Sequence, residues 1–317
     1  MNKKVLVTGA AGFIGSNLCI ELLKLNYSVV GIDNFLADSY PSLLKRNNLS
    51  RIKLIQSKNN FLFREFDLRY DDLNDLEKDF NYVINEAAMP GLPQSWSNFE
   101  VYASSNLIAL QKLIEWAKDL PIQNFVQAST SSVYGKNAIT NEVGALNPNS
   151  PYGVTKLAAE NLLRAYSENF GLPIQILRYF SVYGPGQRPE MAYARIIESL
   201  LSGSEFSKFG DGNQSRSNTF VGDIVNATIL AMASDKTNLV LNVCGDESVT
   251  LNEVISILET QSGKKVRIKE FPERPGDQRH TAGINVLAKT HLGWQPRINL
   301  QEGLYQQFQH AIRITST

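Results

Sequence analysis

The chain has 317 residues, 43% of them hydrophobic, which is ample for a buried core and suits one large domain or two fused ones. Lysine plus arginine and aspartate plus glutamate both number 31, so the formal net charge is zero. That balance argues against nucleic acid or an anionic membrane held by bulk charge, while leaving room for single arginines that grip a small anion. No apolar run approaches the ~18 residues of a spanning helix, and Met1-Asn2-Lys3-Lys4 does not begin a signal peptide. The cysteines, Cys19 and Cys244, sit among apolar neighbours and are too few for a disulfide framework, so a soluble cytoplasmic protein is expected.

Val5-Leu6-Val7 predicts a short strand, followed by Gly9-Ala10-Ala11-Gly12-Phe13-Ile14-Gly15 and a helix whose apolar face carries Leu18, Leu22 and Leu23. In that context Gly9 permits a tight turn, Gly12 lets a pyrophosphate approach the backbone, and Gly15 lets helix and strand pack closely. The helix N-terminus then offers free N–H groups to phosphates. A second strand, Ser28 to Ile32, ends in Asp33, where a carboxylate can accept both ribose hydroxyls and repel a 2′-phosphate; the implied cofactor is NAD rather than NADP. Residues 36–58 are polar and show no firm pattern.

Phe61 to Phe66 reads as a third strand ending at Asp67-Leu68, and Tyr82-Val83-Ile84 as a fourth, with the small Ala87-Ala88 just beyond. An amphipathic helix runs roughly from Phe99 to Lys118 and contains Asn106. Phe125 to Ala128 is a fifth strand with Ser129-Thr130-Ser131-Ser132 at its carboxyl end, and Ile174 to Phe180 a sixth. Strands alternating with helices imply an α/β fold with a doubly wound parallel sheet, whose ligands bind beyond the strand carboxyl ends. Every motif named so far falls at that end.

Between the fifth and sixth strands lies Ser150-Pro151-Tyr152-Gly153-Val154-Thr155-Lys156. Ser150 suits an N-cap and Pro151 a first helical position. Tyr152 and Lys156 then share one helix face. A tyrosine titrates near pH ~10, too high for a base at neutral pH; a lysine one turn away favours the phenolate, so the pair can act as general base and acid.

After Gly184-Pro185-Gly186 the pattern changes. Helices near 192–202, 222–233, 251–262 and 300–313 alternate with strands near 206–209, 240–243 and 266–270. The expected division is 1–183 as a dinucleotide-binding domain and 184–317 as a smaller α/β substrate domain, with segments near 217–245 and 278–292 returning to the first. Arg188, Arg216 and Arg274 each stand in a loop beside glycine, where a guanidinium can reach a phosphate or carboxylate bidentately; for each, a solvated surface arginine is the plain alternative. His280, His291 and His310 are scattered without ligand spacing, so no metal is expected.

Together these residues resemble the extended short-chain dehydrogenase/reductase family of nucleotide-sugar epimerases, dehydratases and decarboxylases, with its Rossmann sheet. The likeness rests on the glycine turn, Asp33, Asp67-Leu68, Ala87-Ala88, Asn106, Thr130-Ser131-Ser132-Val133-Tyr134-Gly135, Tyr152/Lys156 and the arginine loops. Within it, Ala87-Ala88-Met89-Pro90-Gly91 with Ser95-Trp96, and Gly184-Pro185-Gly186-Gln187-Arg188-Pro189-Glu190-Met191-Ala192, are most similar to bacterial UDP-glucuronate 4-epimerases.

The resemblance implies NAD held by Gly9, Gly12, Phe13, Ile14, Gly15, Asp33, Asn34, Asp67, Leu68, Ala87, Ala88, Asn106, Tyr152, Lys156 and Phe180. It implies Tyr152 as base, Lys156 lowering its pKa, and Thr130 bonding the reacting hydroxyl. A UDP-sugar is implied at Pro90, Ser131, Ser132, Ser181, Arg188, Phe209, Arg216, Arg274 and Asp277, with Arg216 and Arg274 on the pyrophosphate, Phe209 on uracil and Arg188 on a sugar carboxylate. It further implies a homodimer through the helices around Asn106 and Tyr152, and a place in nucleotide-sugar metabolism that supplies polysaccharide biosynthesis.

The chain departs from the family pattern at Asn85-Glu86, where a histidine usually stands first, at Leu92-Pro93-Gln94, at Ser181 and at Gly283. Dehydratases carry Asp-Glu at the positions of Ser131-Ser132, and decarboxylases a glutamate at Ser132. The expected reaction is therefore 4-epimerisation of UDP-glucuronate through a 4-keto sugar. The alternatives are a UDP-glucose or UDP-N-acetylglucosamine 4-epimerase, then a UDP-glucuronate decarboxylase or a 4,6-dehydratase, and last a non-catalytic NAD sensor.

Overall fold

The structure, a computed structural model, describes residues 3–37, 40–55, 60–273 and 279–315. Seven strands form one parallel sheet: β1 (Lys4–Thr8), β2 (Ser28–Asp33), β3 (Phe61–Glu65), β4 (Tyr82–Asn85), β5 (Asn124–Thr130), β6 (Ile174–Tyr179) and β7 (Leu239–Val243). Their order is β7-β6-β5-β4-β1-β2-β3, so the winding reverses between β1 and β4. There Val5 pairs with Val29 on one side and Tyr82 on the other. Parallel strands covered on both faces must be apolar on both. Leu6 and Val83 pack with Leu113 and Leu163 on one face, Val5 and Val7 with Leu18 and Ile224 on the other, all buried.

The first face is covered by a helix, α3, running through Phe99–Ala103, a π turn at Ser104–Ile108 and Ala109–Ala117, and by α4 (Pro151–Phe170). The second face carries α1 (Phe13–Lys24) and α5 (Val221–Ala233). Helix α4 starts as its sequence dictates: the Ser150 hydroxyl accepts from the Gly153 N–H at 3.1 Å, and Pro151 opens the first turn. It ends at Gly171 in the left-handed region, φ 71°.

The structure corrects the sequence reading of 36–58, where Ser42–Ile55 forms α2. This helix buries only Asn48, Leu49 and Ile52, while Leu43 and Leu54 face solvent, so no apolar stripe marked it. A polar anchor holds it: the Asn48 amide donates to the Ala11 carbonyl at 3.0 Å and to the Tyr40 hydroxyl at 3.1 Å. Five strands also escaped notice: Asn137–Thr140, Ser181–Tyr183, Ser215–Phe220, Ser248–Thr250 and His280–Gly283. They form a second sheet above the carboxyl ends of the first, and Arg267–Phe271 pairs with Glu205–Phe209 beside it. Among the described residues no helix is long and apolar enough to cross a membrane.

Candidate active site

A cavity of about 680 Å³ opens where the sheet's carboxyl ends meet these outer strands. The glycine turn forms one wall. Gly9 has φ +64°, and a Cβ there would lie 2.9 Å from the Ala87 backbone nitrogen, so only glycine fits. Helix α1 begins at Gly12 with no side-chain cap and no acidic residue in its first turn. Its N–H groups and positive dipole end are left for an anion, as a dinucleotide pyrophosphate requires.

Beyond the turn lie Asp33, Asn34, Asp67 and Leu68. Asp33 is more engaged than the sequence suggests: it accepts from Phe35 N at 2.8 Å, from Ala11 N at 3.2 Å and from Lys45 Nζ at 2.9 Å. Asn34 donates to Asp67 at 3.0 Å. Burial opposes ionisation of Asp67, but hydrogen bonds from Arg69 and Asn34 outweigh it and hold the carboxyl below its usual range. This wall carries carboxylates and amides that can accept ribose hydroxyls.

At the other end Tyr152, Lys156, Thr130, Ser131 and Ser132 share the cavity with Pro90, Phe180 and Ser181. Thr130 Oγ1 accepts from the Ser132 N–H at 3.1 Å and caps the turn at Ser131–Tyr134. The electrostatics bring in groups from other elements. Lys156 Nζ donates to the Ala128 carbonyl at 2.6 Å, and burial lowers its pKa to about 8. Burial pushes the Tyr152 phenol above its ordinary value, while the Thr130 hydroxyl and the Arg188 guanidinium draw it down. Tyr152 and Lys156 sit one turn apart on α4, and Thr130 and Arg188 favour the phenolate from other elements.

Beneath Thr130 lies a buried ion pair. Arg178 on β6 meets Glu160 on α4 at 2.7 Å and 3.0 Å, and also reaches the Tyr134 hydroxyl at 2.8 Å. Ser129 donates to the same Glu160, tying the end of β5 to the helix that carries Tyr152.

Arg188 faces the cavity from the loop before helix Ala192–Ser202. Its Nη1 lies 2.7 Å from Glu190 Oε1, yet that buried nitrogen makes no hydrogen bond of good geometry. Arg216 also lines the cavity, its Nη1 donating to the Ser215 and Arg279 carbonyls at 2.9 and 3.2 Å.

Two expected contacts are placed elsewhere. Asn106 lies in the π turn of α3; it accepts from Met89 N at 2.7 Å and donates to Met89 O at 3.1 Å and Thr155 Oγ1 at 3.0 Å. Its side chain shapes the loop after β4 instead of lining the cavity, the neighbouring Ser105 being the wall residue. Phe209 stacks on Phe271 of the paired strand, centroids 5.2 Å apart, away from the cavity walls. Arg274 and Asp277 lie outside the described residues.

Among the wall residues that were not anticipated are Lys45, Arg195, Tyr179 and Glu86. Arg195, one turn into its helix, could have been found as the next cation after Arg188. A side chain on Gly283 would strike Phe180 and Cys244 at 2.6 Å, so glycine here serves packing of a cavity wall.

Comparison with known proteins agrees with this geometry. The profile of the NAD dependent epimerase/dehydratase family matches residues 5–244. YtcB of Bacillus subtilis, named as an uncharacterized UDP-glucose epimerase, is 42% identical over 307 residues, 95% of each chain. A UDP-glucuronate 4-epimerase of Thermodesulfobacterium geofontis is 35% identical over 304 residues, 94% of this chain and 93% of its own. Among solved structures, the UDP-glucuronic acid 4-epimerase of Bacillus cereus in complex with UDP-glucuronic acid and NAD has a TM-score of 0.94 and 39% identity, covering 98% of this chain and 99% of that one.

Proposed function

Because the chain belongs to the NAD-dependent epimerase/dehydratase family, we propose that it is an isomerase that inverts carbon 4 of a UDP-sugar, with UDP-glucuronate and UDP-galacturonate as its pair. The residues fit NAD: an uncapped helix N-terminus for the pyrophosphate, Asp33 and Asn34 for the adenosine ribose, and Lys156 near the reacting end. Bound NAD supplies a hydride acceptor that later returns the hydride, so no net redox change occurs.

The chain's own residues do the rest. Tyr152 takes the proton of the sugar 4-hydroxyl, while Thr130 hydrogen-bonds the same oxygen and favours the phenolate. Inversion requires the 4-keto sugar to present its other face, so the diphosphate is gripped, by Arg216 among others, while the hexose turns. Ser131, Ser132 and Ser181 are small and leave it room. They also withhold the carboxyl pair that elimination across carbons 5 and 6 would need.

Arg188 carries the choice of sugar. A buried guanidinium nitrogen without a well-formed hydrogen bond, facing the hexose end, suits a carboxylate. A 4-keto uronate is a β-keto acid and loses carbon dioxide readily; a carboxylate held by Arg188 is kept from the geometry that loss requires. The competing Glu190 is 45% exposed and surrenders little on release. The same Glu190 contact favours one second reading, a neutral UDP-hexose substrate that leaves the pair intact. Proton NMR of the protein with UDP-glucuronate, UDP-glucose or UDP-N-acetylglucosamine separates them. A galacturonate anomeric signal is expected, and turnover confined to the neutral sugars would refute the uronate reading.

The same reading places the enzyme in the cytoplasm, consistent with its two free, buried cysteines, in a reaction that supplies polysaccharide building blocks. It also makes it a homodimer through α3 and α4, whose Phe99, Ile108, Val154 and Phe170 are exposed large apolar residues.

A further inference from the structure

Glu86 follows directly on β4 and faces the cavity with Tyr152 and Lys156. Its Oε1 lies 2.9 Å from the Tyr179 hydroxyl on β6. That hydroxyl lies 2.8 Å from Thr228 Oγ1 on α5, and Thr228 lies 2.9 Å from the Ile224 carbonyl. These are three oxygen–oxygen contacts in series, and each needs one proton. Tyr179 and Thr228 bring one each. An ionised Glu86 brings none, which leaves one contact as facing lone pairs. A protonated Glu86 brings the third, and the chain then runs one way: Glu86 donates to Tyr179, Tyr179 to Thr228, and Thr228 to the carbonyl.

We propose that Glu86 is a positioning residue held as a neutral carboxylic acid at the reacting end of the cavity, where its neutrality favours both transfers of the epimerisation. The proposal rests on the NAD-dependent reading above. In the forward step the carbon 4 C–H bond breaks with its electron pair leaving as hydride to the dinucleotide, and the 4-hydroxyl proton goes to Tyr152; Glu86 gains and loses nothing. An anion at its position would oppose the Tyr152 phenolate and would favour the oxidised, cationic dinucleotide over the reduced one. A neutral acid does neither.

The surroundings agree. The titratable groups that face Glu86 are Tyr179 from β6, Tyr152 and Lys156 from α4, and Cys19 from α1. Burial raises the carboxyl to about 7, with Tyr179 and Lys156 acting in the other direction. The neutral form therefore prevails on the acid side of that value and fades above it.

The test measures dissociation constants of NAD⁺ and NADH against pH for the wild type and for Glu86→Gln, whose amide can donate to Tyr179 as the acid does. In the wild type the preference for NAD⁺ over NADH should grow roughly tenfold as pH rises through the Glu86 midpoint, the equivalent of one pKa unit. In Glu86→Gln that growth should be absent, and the alkaline fall in kcat should shrink with it. A preference that changes with pH identically in both proteins overturns the role of Glu86 alone. Failure of the wild type to bind either nucleotide overturns the NAD reading and this one with it. Should Glu86→Gln not fold, the glutamate carboxyl carbons of ¹³C-labelled wild type decide. One resonance titrating near 7 supports the proposal, and every resonance ionised already at about pH 5.5 refutes it.

Discussion

The Glu160–Arg178 pair predicts a measurable weakness. Both side chains are fully buried, and Arg178 spends Nε and Nη2 on the carboxylate and Nη1 on the Tyr134 hydroxyl and the Glu142 carbonyl. Glu160→Gln preserves volume but turns an NH₂ group toward one of the guanidinium donors and removes the only charge that balances a buried cation within the pair. Breaking one partner of such a pair costs about 3–5 kcal/mol. At roughly 2 °C per kcal/mol for a chain of this size, the melting midpoint should fall by about 6–10 °C. Ser129 shares the same carboxylate, so the end of β5 should loosen and kcat should fall with little change in KM. Replacing both residues, Glu160→Leu with Arg178→Met, should recover part of the lost stability, because no charge is then stranded. Calorimetry and denaturant unfolding test this together. A Glu160→Gln protein within about 1 kcal/mol of wild type would refute the reasoning, since that is the range of an ordinary neutral hydrogen bond.

Tyr152→Phe should keep NAD bound and abolish exchange at carbon 4; undiminished turnover would remove Tyr152 as the base. Arg188→Ala should raise KM for UDP-glucuronate far more than for UDP-glucose, by the about 1.5–3 kcal/mol of a charge-assisted contact, and equal effects on both would end its carboxylate role. The buried Lys156 has its pKa lowered from 10.5 to about 8, so below pH 8 its charge burdens the folded state, and between 8 and 10.5 the unfolded chain binds more protons and stability should rise with pH. Lys156→Met should lose that rise, as pH-dependent unfolding curves would show. Ile108→Glu places a charge at an exposed apolar site on α3 and should turn the proposed dimer into monomers in sedimentation equilibrium; a dimer mass unchanged by the substitution would move the interface elsewhere, and a monomeric wild type would remove it.

What was legible in the sequence was local. The glycine turn could be read because Gly9 needs both a positive φ and contact with the Ala87 backbone, which no other residue meets. Helix α4 could be read because Ser150 and Pro151 are start signals that act within one turn. The helix-face relation of Tyr152 and Lys156 followed from spacing, but their electrostatics did not, because the Ala128 carbonyl and the Arg188 guanidinium arrive from other elements. Glu86 was passed over for the same reason: its partner Tyr179 lies in another strand, and only the fold brings the two together. Helix α2 left no periodic trace, since an asparagine side chain rather than an apolar stripe fastens it to the glycine turn after β1. The uracil contact of Phe209 was implied by resemblance alone, and its stacking on Phe271 arises only when the two strands pair.

The seventh strand has a consequence for how the chain comes into being. β7 is the outermost strand beside β6, yet it is encoded only at 239–243, after much of the outer region has already been made. A nascent chain that has just completed β6 therefore carries an open edge of Ile174, Ile176 and Leu177, a template for pairing with a neighbouring chain on the same messenger. The segment between β6 and β7, residues 180–238, has to be made before the inner sheet is sealed. No single cut in the chain separates the two regions, since Asn137–Thr140 belongs to the outer sheet and β7 to the inner one.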